Sequence, residues 1–142
     1  MSDAACVELI RAFYNAFDDR AYEESIAPFL APTVVWRVAG ENPLAGTFDG
    51  VAAVLDAMRA FRGCSAQTLS LNTVTLVADA GHVVAIHEAR AELAGLRYSA
   101  HEVDVFHIEG EQISEMWSFS EDQAATDRMW TMGAKLAQGP AP

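Results

Sequence analysis

The residues best suited to acid–base chemistry lie in the second half of the chain, on runs that are typical of β-strands. Side chains alternate across a strand, so Glu102 and Asp104 share one face of theirs. His87 lies on the preceding run, and a histidine near neutral pH can act as a general acid or base. Asp104 could orient that imidazole or accept a proton itself, because apolar surroundings raise the pKa of a carboxyl group.

Arg37 adds a positive charge to this candidate catalytic set. It follows Val35 on one face of an earlier strand, and its guanidinium suits a carboxylate, enolate or carbonyl oxygen of a ligand. Together, Arg37, His87 and Asp104 fit an isomerisation, an aldol-type cyclisation or a dehydration that needs no cofactor. The alternatives are an internal ion pair between Arg37 and Asp104, since buried charges need partners, and a core histidine at position 87.

The other histidines show no motif for metal binding. His82 comes directly after a turn and is predicted to face solvent, whereas His101 and His107 lie on the strand face opposite Asp104 and are predicted at the surface or a dimer interface. No combination of histidines, cysteines and carboxylates has the spacing of a metal site. The glycine-rich segment 40–50 lacks a phosphate-loop pattern and is predicted to be a loop.

Composition restricts the class of partner. The chain has 142 residues, 51% of them hydrophobic, with 9 Lys and Arg against 20 Asp and Glu, for a net charge of −11. That length and apolar content predict one domain with a substantial core. The acidic balance disfavours nucleic acid and anionic membrane surfaces as partners. Without a basic, apolar leader at the N-terminus, we expect a cytoplasmic protein with reduced Cys6 and Cys64.

The elements that must position these residues begin with helices. Apolar residues at positions 6, 9, 10, 13 and 17 predict a first helix, capped by Ser2 or Asp3. A second stripe over 22–30 is ended by prolines, and 33–38 is predicted to be a strand. A third helix is predicted over 51–61, with Asp49 as its cap and Gly63 as its end.

The second half of the chain has the pattern of a β-meander. Four runs, at about 68–78, 83–93, 98–108 and 113–119, are joined by short turns typical of antiparallel neighbours, and a change of phase in the first predicts a bulge. Residues 120–123 form a capping box that opens a last helix to about 132. The order predicts a single α+β domain over 1–132, with a flexible tail over 133–142.

Several segments together resemble the nuclear transport factor 2-like superfamily, in its SnoaL-like and ketosteroid isomerase-like branch. The resemblance covers about residues 5–132 and implies a cystatin-like α+β barrel: a cone-shaped, mixed or antiparallel sheet around N-terminal helices, with a pocket at its wide end and the 40–50 loop near the mouth. It also implies a homodimer through the outer face of the sheet. The residues that carry it are Val34 to Trp36, 40–46, Gly50, 83–87, Val105, Phe106, 109–113, 115–117 and Asp122.

The resemblance also assigns positions in the pocket. Asp104 is similar to the ketosteroid isomerase acid that donates a hydrogen bond to the substrate oxyanion, and His87 to a pocket-lining position. The catalytic base of that family falls at Arg37, which cannot remove a proton because its pKa stays above about 12, so the steroid mechanism is not expected to transfer intact. The last aspartate of the epoxide hydrolase arrangement is Ser118 here. The residues predicted to contact substrate are Phe13, Tyr14, Trp36, Met58, Phe61, Glu102, Phe106, Met116 and Ser118.

Two functions of different classes follow from this pattern. The first is a cofactor-independent isomerase, cyclase or dehydratase acting on a small hydrophobic carbonyl compound. The second is a non-catalytic ligand-binding or dimerisation module, favoured by the missing base at position 37. An enclosed pocket of several hundred Å³ with the catalytic set pointing inward favours the enzyme. A collapsed interior favours the module.

Overall fold

The computed structural model describes residues 1–17, 22–65 and 68–139. Four α-helices are described: α1 (Asp3–Ala16), α2 (Tyr22–Ile26), α3 (Val51–Cys64) and α4 (Gln123–Ala137), with a 3₁₀ turn, Ala27–Phe29, directly after α2. The strands in these ranges are β1 (Leu30–Val38), β2 (Gly46–Asp49), β3 (Ser70–Asp79), β4 (His82–Leu93), β5 (Leu96–Glu109) and β6 (Gln112–Ser120).

The six strands form one curved sheet in the order β2-β1-β6-β5-β4-β3. Neighbours are antiparallel except for β1 and β6, which run parallel, so the sheet is mixed. The register of β3 against β4 shifts between Thr73 and Thr75, which confirms the predicted bulge and bends the sheet edge. The α+β architecture predicted from the order of helices and strands is therefore confirmed.

Helix α1 forms for the reasons visible in its sequence. The Ser2 hydroxyl accepts a hydrogen bond from the backbone N–H of Ala5 at 3.1 Å, which satisfies one of the free donors of the first turn. Cys6, Ile10 and Phe13 are buried, and their spacing places them on one helical stripe that packs into the sheet. The neighbouring Tyr14 is half-buried at the edge of this stripe.

Several predicted boundaries were wrong. Asp49, predicted as the cap of the third helix, lies in β2, a strand that was not predicted, and pairs with Val35 of β1. The N-cap of α3 is Gly50, which makes no side-chain hydrogen bond. Gly63 lies inside α3, because one helical glycine costs only about 1 kcal/mol and buried packing on either side offsets it. The capping residue of α4 is Asp122, whose side chain accepts from the N–H of Ala125, and not Ser120.

Helix α4 continues to Ala137, so residues 133–137, predicted as the start of the tail, are helical, whereas 140–142 lie outside the described residues. Buried Gly133 marks the place where α4 crosses α3, since a Cβ there would overlap the carbonyl oxygen of Cys64. The described helices are all too short or too polar to cross a bilayer.

Two clusters of buried residues fill the concave side of the sheet. The larger one packs α1 and α3 against β1, β4, β5 and β6, around Phe13, Val34 and Phe106. The second packs α4 against the distal halves of β4 and β5, around Leu93, Tyr98 and Trp130. Side chains from both clusters line a cavity, which lies where the helices and the curved sheet diverge.

Candidate functional site

The cavity has a volume of about 500 Å³, within the range of small-molecule sites. Its walls combine aromatic rings from α1, β1, α3 and α4 with polar side chains from β5, β6 and α4. The predicted contact residues among its lining are Phe13, Tyr14, Trp36, Met58, Phe61, Glu102, Asp104, Met116 and Ser118; the lining residues that were not predicted include Phe17, Arg62, Leu69, Ser120, Gln123, Thr126 and Trp130.

Asp104 is the centre of a hydrogen-bonded group on the cavity wall. Its Oδ2 accepts from the hydroxyl of Tyr14 at 2.5 Å, and its Oδ1 accepts from the hydroxyl of Ser118 at 2.6 Å. The indole N–H of Trp36 donates to the same serine oxygen at 2.9 Å. The side chain of Asp104 retains 17% exposure, so it is held firmly and is still accessible from the cavity.

His87 lies behind Asp104 and does not line the cavity. It is fully buried, and its Nδ1 is 3.2 Å from the hydroxyl oxygen of Thr73. Its Nε2 is 3.3 Å from Oδ2 of Asp104, but the atoms are not aligned for a hydrogen bond, and Nε2 has no such partner among the described residues. The edge of the ring also packs against Tyr14, with centroids 4.3 Å apart. His87 is therefore placed to position the Tyr14–Asp104 pair from behind rather than to touch a ligand.

The hydroxyl of Tyr14 stays protonated. Burial is the largest cause that raises the pKa of Tyr14 well above its usual value. The charge of Asp104 and the hydrogen bond to it add to the increase. The tyrosine thus acts as a neutral donor to a carboxylate, a bond of the stronger, charge-assisted kind.

Replacing Tyr14 with Phe removes that donor and keeps the ring. We expect Tyr14→Phe to lower the free energy of unfolding by about 1.5 to 3 kcal/mol, the usual net value of a hydrogen bond to a charged group. Urea unfolding followed by circular dichroism measures it, with Asn15→Ala on the exposed side of α1 as the control, expected within about 0.5 kcal/mol of the parent. An unchanged midpoint for Tyr14→Phe would show that Asp104 does not depend on this donor.

Glu102 forms a second polar group on the same wall. It precedes Asp104 by two residues on β5, so the side chains emerge on one face roughly 7 Å apart. Its Oε1 accepts from the hydroxyl of Tyr98 at 2.7 Å, and that hydroxyl is also 2.8 Å from Oγ1 of Thr126 on α4. Oε2 of Glu102 has no hydrogen-bond partner among the described residues, which leaves one carboxyl oxygen for a ligand.

The environment of Glu102 gives it a pKa in the useful range for proton transfer. Burial raises the pKa of Glu102 from 4.5 to about 7, and the negative charge of Asp104 adds to the increase. The hydrogen bond from Tyr98 and the nearby His87 oppose it. A carboxyl group that exchanges its proton near neutral pH is suited to general acid–base catalysis.

Arg37 does not point into the cavity, and this corrects the prediction that it forms a set with His87 and Asp104. Val34 and Trp36 are the buried positions of β1, so Arg37 has the opposite phase and lies on the outer face of the sheet. Its guanidinium pairs with Glu115 at 2.6 Å and lies 5.6 Å from the ring centre of Trp117. The suggested ion pair with Asp104 is wrong for the same reason.

Phe106 is also not a cavity residue, although it was predicted to contact substrate. It shares the inward face of β5 but is completely buried in the core, with its ring 5.6 Å from that of Phe13. The strand alternation was correct, and helix α1 covers this position. Helix packing therefore decides which inward residues reach the cavity.

The remaining histidines lie on the outer face of the sheet or at its end. His101 is exposed and lies 3.1 Å from Glu121, and His82 is exposed with its ring stacked on half-buried His107 at 4.7 Å. Within residues 1–17, 22–65 and 68–139, no three histidine, cysteine or acidic side chains are arranged to hold a metal ion.

Tyr98, Ser120 and Thr126 were missed as part of the site. Strand alternation places Tyr98 on the face of Glu102 and Ser120 on that of Ser118, so the pattern contained a signal for both. Thr126 gave none, because its contact with Tyr98 requires α4 to fold back across β5. This contact closes the wall behind Glu102 and excludes water from it.

Comparison with known proteins places the chain in a family. It is 31% identical over 132 residues to Rv0034, an uncharacterised protein of Mycobacterium tuberculosis, which covers 92% of this chain and 99% of that protein. Bal32a, from a soil-derived mobile gene cassette, has a similar structure with a TM-score of 0.84 and 22% identity, over 90% of this chain and 98% of that one. TerC, co-crystallised with polyporic acid, has a TM-score of 0.77 and 19% identity, over 88% of this chain and 98% of that one.

Two further solved structures have a similar fold: a protein of Xanthomonas campestris described as cystatin-like, with a TM-score of 0.80, and one of Burkholderia xenovorans described as nuclear transport factor 2-like, with 0.72. The SnoaL-like domain model matches residues 10–116, which include the second half of α1, the whole of β1 to β5 and the cavity residues Tyr14, Glu102 and Asp104. With the strand order and the cavity already described, this match is decisive: the chain belongs to the SnoaL-like domain family.

Proposed function

We propose that the protein is a cofactor-independent acid–base enzyme, an isomerase, cyclase or dehydratase, that acts on a small hydrophobic carbonyl compound. The single observation that carries this proposal is Glu102, a carboxyl group with a pKa of about 7 that lines an aromatic cavity and has one free oxygen among the described residues. The polyporic acid in the TerC crystals adds support, since that protein of similar fold was crystallised with a small organic compound.

The proposed step is a proton transfer at carbon. Ionised Glu102 takes the proton from the carbon next to a carbonyl group, and the electrons of the C–H bond move towards the carbonyl oxygen to give an enolate. The protonated carboxyl then returns the proton to a different carbon in an isomerisation, or to a departing hydroxyl group in a dehydration. No oxidant, metal or cofactor is needed for the balance of either reaction.

Deuterium exchange tests this step without knowledge of the natural substrate. 2-Tetralone is a hydrophobic ketone with acidic protons next to its carbonyl group, and proton NMR in D₂O follows their replacement. We expect the protein to accelerate the exchange over buffer alone in a saturable manner. Binding of 2-tetralone without any acceleration would instead support the non-catalytic binding module, and absence of both would contradict the proposal.

We also propose a homodimer formed through the outer face of the sheet. At the centre of the outer face of β4, β5 and β6 lies a half-exposed apolar patch, in which Val105 pairs with Val84 on one side and Trp117 on the other. Exposed apolar patches that are rimmed by polar residues commonly mark protein interfaces.

Val105→Asp is expected to weaken this dimer by at least about 30-fold, because it brings an unpaired charge, and its symmetry mate, into the interface. Sedimentation equilibrium measures the dissociation constant. Val74→Asp is the matched control, since Val74 is 57% exposed on the edge strand β3. A monomeric parent protein, or a dimer that tolerates Asp at position 105, would refute the proposal.

A further inference from the structure

On the cavity wall around Asp104, hydrogen-bond donors are less available to a ligand than hydrogen-bond acceptors. On the part of the wall formed by α1, β1 and β6, the hydroxyls of Tyr14 and Ser118 both donate to Asp104, and the indole N–H of Trp36 donates to Ser118. These three donors therefore already have acceptors within the protein. The polar wall around Asp104 presents mainly acceptor sites.

Asp104 still has acceptor capacity. A carboxylate has about four lone-pair sites, and the described hydrogen bonds use one on Oδ2 and one on Oδ1. Nε2 of His87 lies 3.3 Å from Oδ2 without an aligned bond, so the arrangement around this oxygen is not saturated. The side chain is partly exposed to the cavity, which gives a ligand access to it.

We propose that Asp104 accepts a hydrogen bond from a hydroxyl group of the ligand, so that the substrate is a hydroxyl-bearing carbonyl compound rather than a simple ketone. This inference rests on the proposed function, since it names the class of compound that occupies the same cavity. The ligand hydroxyl donates to Asp104, and the carbon that Glu102 deprotonates lies roughly 7 Å farther along the wall, the distance between alternate residues on a strand. A simple ketone brings only acceptors to a wall that already has an excess of them.

The position of Asp104 also predicts how the ring system of a flat ligand lies in the cavity. The rings of Trp36, Phe61 and Trp130 line the same cavity as the two carboxyl groups, with Phe61 packed on both indoles at 5.4 and 4.7 Å. A flat ring system held against these aromatic side chains places a hydroxyl substituent at its edge towards β5.

A matched pair of ligands isolates the hydroxyl donor. 7-Hydroxy-1-tetralone and 7-methoxy-1-tetralone share one ring system and one carbonyl group, but only the first donates a hydrogen bond. Isothermal titration calorimetry near neutral pH is expected to give about tenfold or greater preference for the hydroxyl compound, as for a hydrogen bond to a charged acceptor. Equal affinities, tighter binding of the methyl ether, or no binding of either would overturn the inference.

Three variants separate Asp104 from its surroundings. Asp104→Asn is expected to abolish the preference, and Glu88→Gln, which removes a carboxylate from the outer face of β4, is expected to retain it. Tyr14→Phe is expected to increase the preference about threefold, because Oδ2 of Asp104 then no longer receives the tyrosine hydrogen bond and is a stronger acceptor for the ligand hydroxyl. A fall in affinity for both ligands in Tyr14→Phe would show that the tyrosine itself donates to the ligand and would refute the assignment.

These binding measurements do not require turnover. If the hydroxyl preference is absent but exchange of 2-tetralone depends on Glu102, the proposed function stands and the substrate class is wrong. If the preference is present and follows Asp104 but no exchange occurs, the ligand class stands and the catalytic proposal fails.

Discussion

Replacing Glu102 with Gln is expected to slow the exchange of 2-tetralone protons roughly 100- to 10,000-fold, the usual contribution of a positioned general base. Gln has nearly the same shape, and its carbonyl oxygen can still accept the hydrogen bond from Tyr98. The amide nevertheless cannot take up a proton. The variant therefore removes the chemistry and leaves the wall of the cavity in place.

The pH profile provides an independent check on this assignment. In the parent protein the exchange rate should rise as pH increases through about 7, because burial raises the pKa of Glu102 to that value and only the ionised form is a base. The residual rate of Glu102→Gln should lack this rise. Glu88→Gln on the outer face serves as the control and should keep both the rate and the profile.

If Glu102→Gln exchanged protons as fast as the parent protein, Glu102 would not be the base. Asp104→Asn would then be the variant to compare, since Asp104 is the other carboxyl group on the cavity wall. A large loss in Asp104→Asn with none in Glu102→Gln would transfer the role from the first carboxyl group to the second.

The same substitution is expected to change how stability depends on pH. A carboxyl group whose folded pKa is raised holds its proton in the folded state after the unfolded chain has lost it, so stability falls as pH rises between the two values. For Glu102 these values are 4.5 and about 7. The parent protein should therefore lose stability across this window, and Glu102→Gln should be free of that loss.

The free energy of unfolding of Glu102→Gln, relative to the parent, should increase by roughly 2 kcal/mol from about pH 5.5 to about pH 7.5, at about 1.4 kcal/mol per unit of pKa difference traversed. Groups that titrate in both proteins cancel in this difference, apart from Asp104, His87 and Tyr98, which interact with Glu102. Urea unfolding at several pH values measures it. A difference that does not change with pH would mean that Glu102 is solvated and ionises normally.

The sequence alone determined the features that depend on local periodicity. Alternation along a strand placed Glu102 and Asp104 on one face, and the helical stripe placed Phe13 on the buried face of α1. The change of phase in β3 predicted its bulge. The same local rules could not predict that α4 continues beyond residue 132, because the additional helical residues depend on packing against α3 at Gly133.

The outward orientation of Arg37 shows what an alignment of sequence positions with a family does not predict. The resemblance aligned Arg37 with an inward catalytic residue, but a difference of one position reverses the face of a strand. Parallel pairing of β1 with β6 and burial of Trp36 against Ser118 decided the phase. Such pairings join residues about 80 positions apart, so no local pattern contains them.

Residue types and their spacing thus determined the α+β class, the curved meander and the presence of two carboxyl groups on one strand. Only the tertiary structure decided that Tyr14 and Ser118 bond to Asp104, that His87 lies behind them, and that Arg37 faces outward. The pKa of Glu102 belongs to this second group as well. It depends on the water that Tyr98 and α4 exclude, and exclusion of water is a property of packing between distant segments rather than of any one of them.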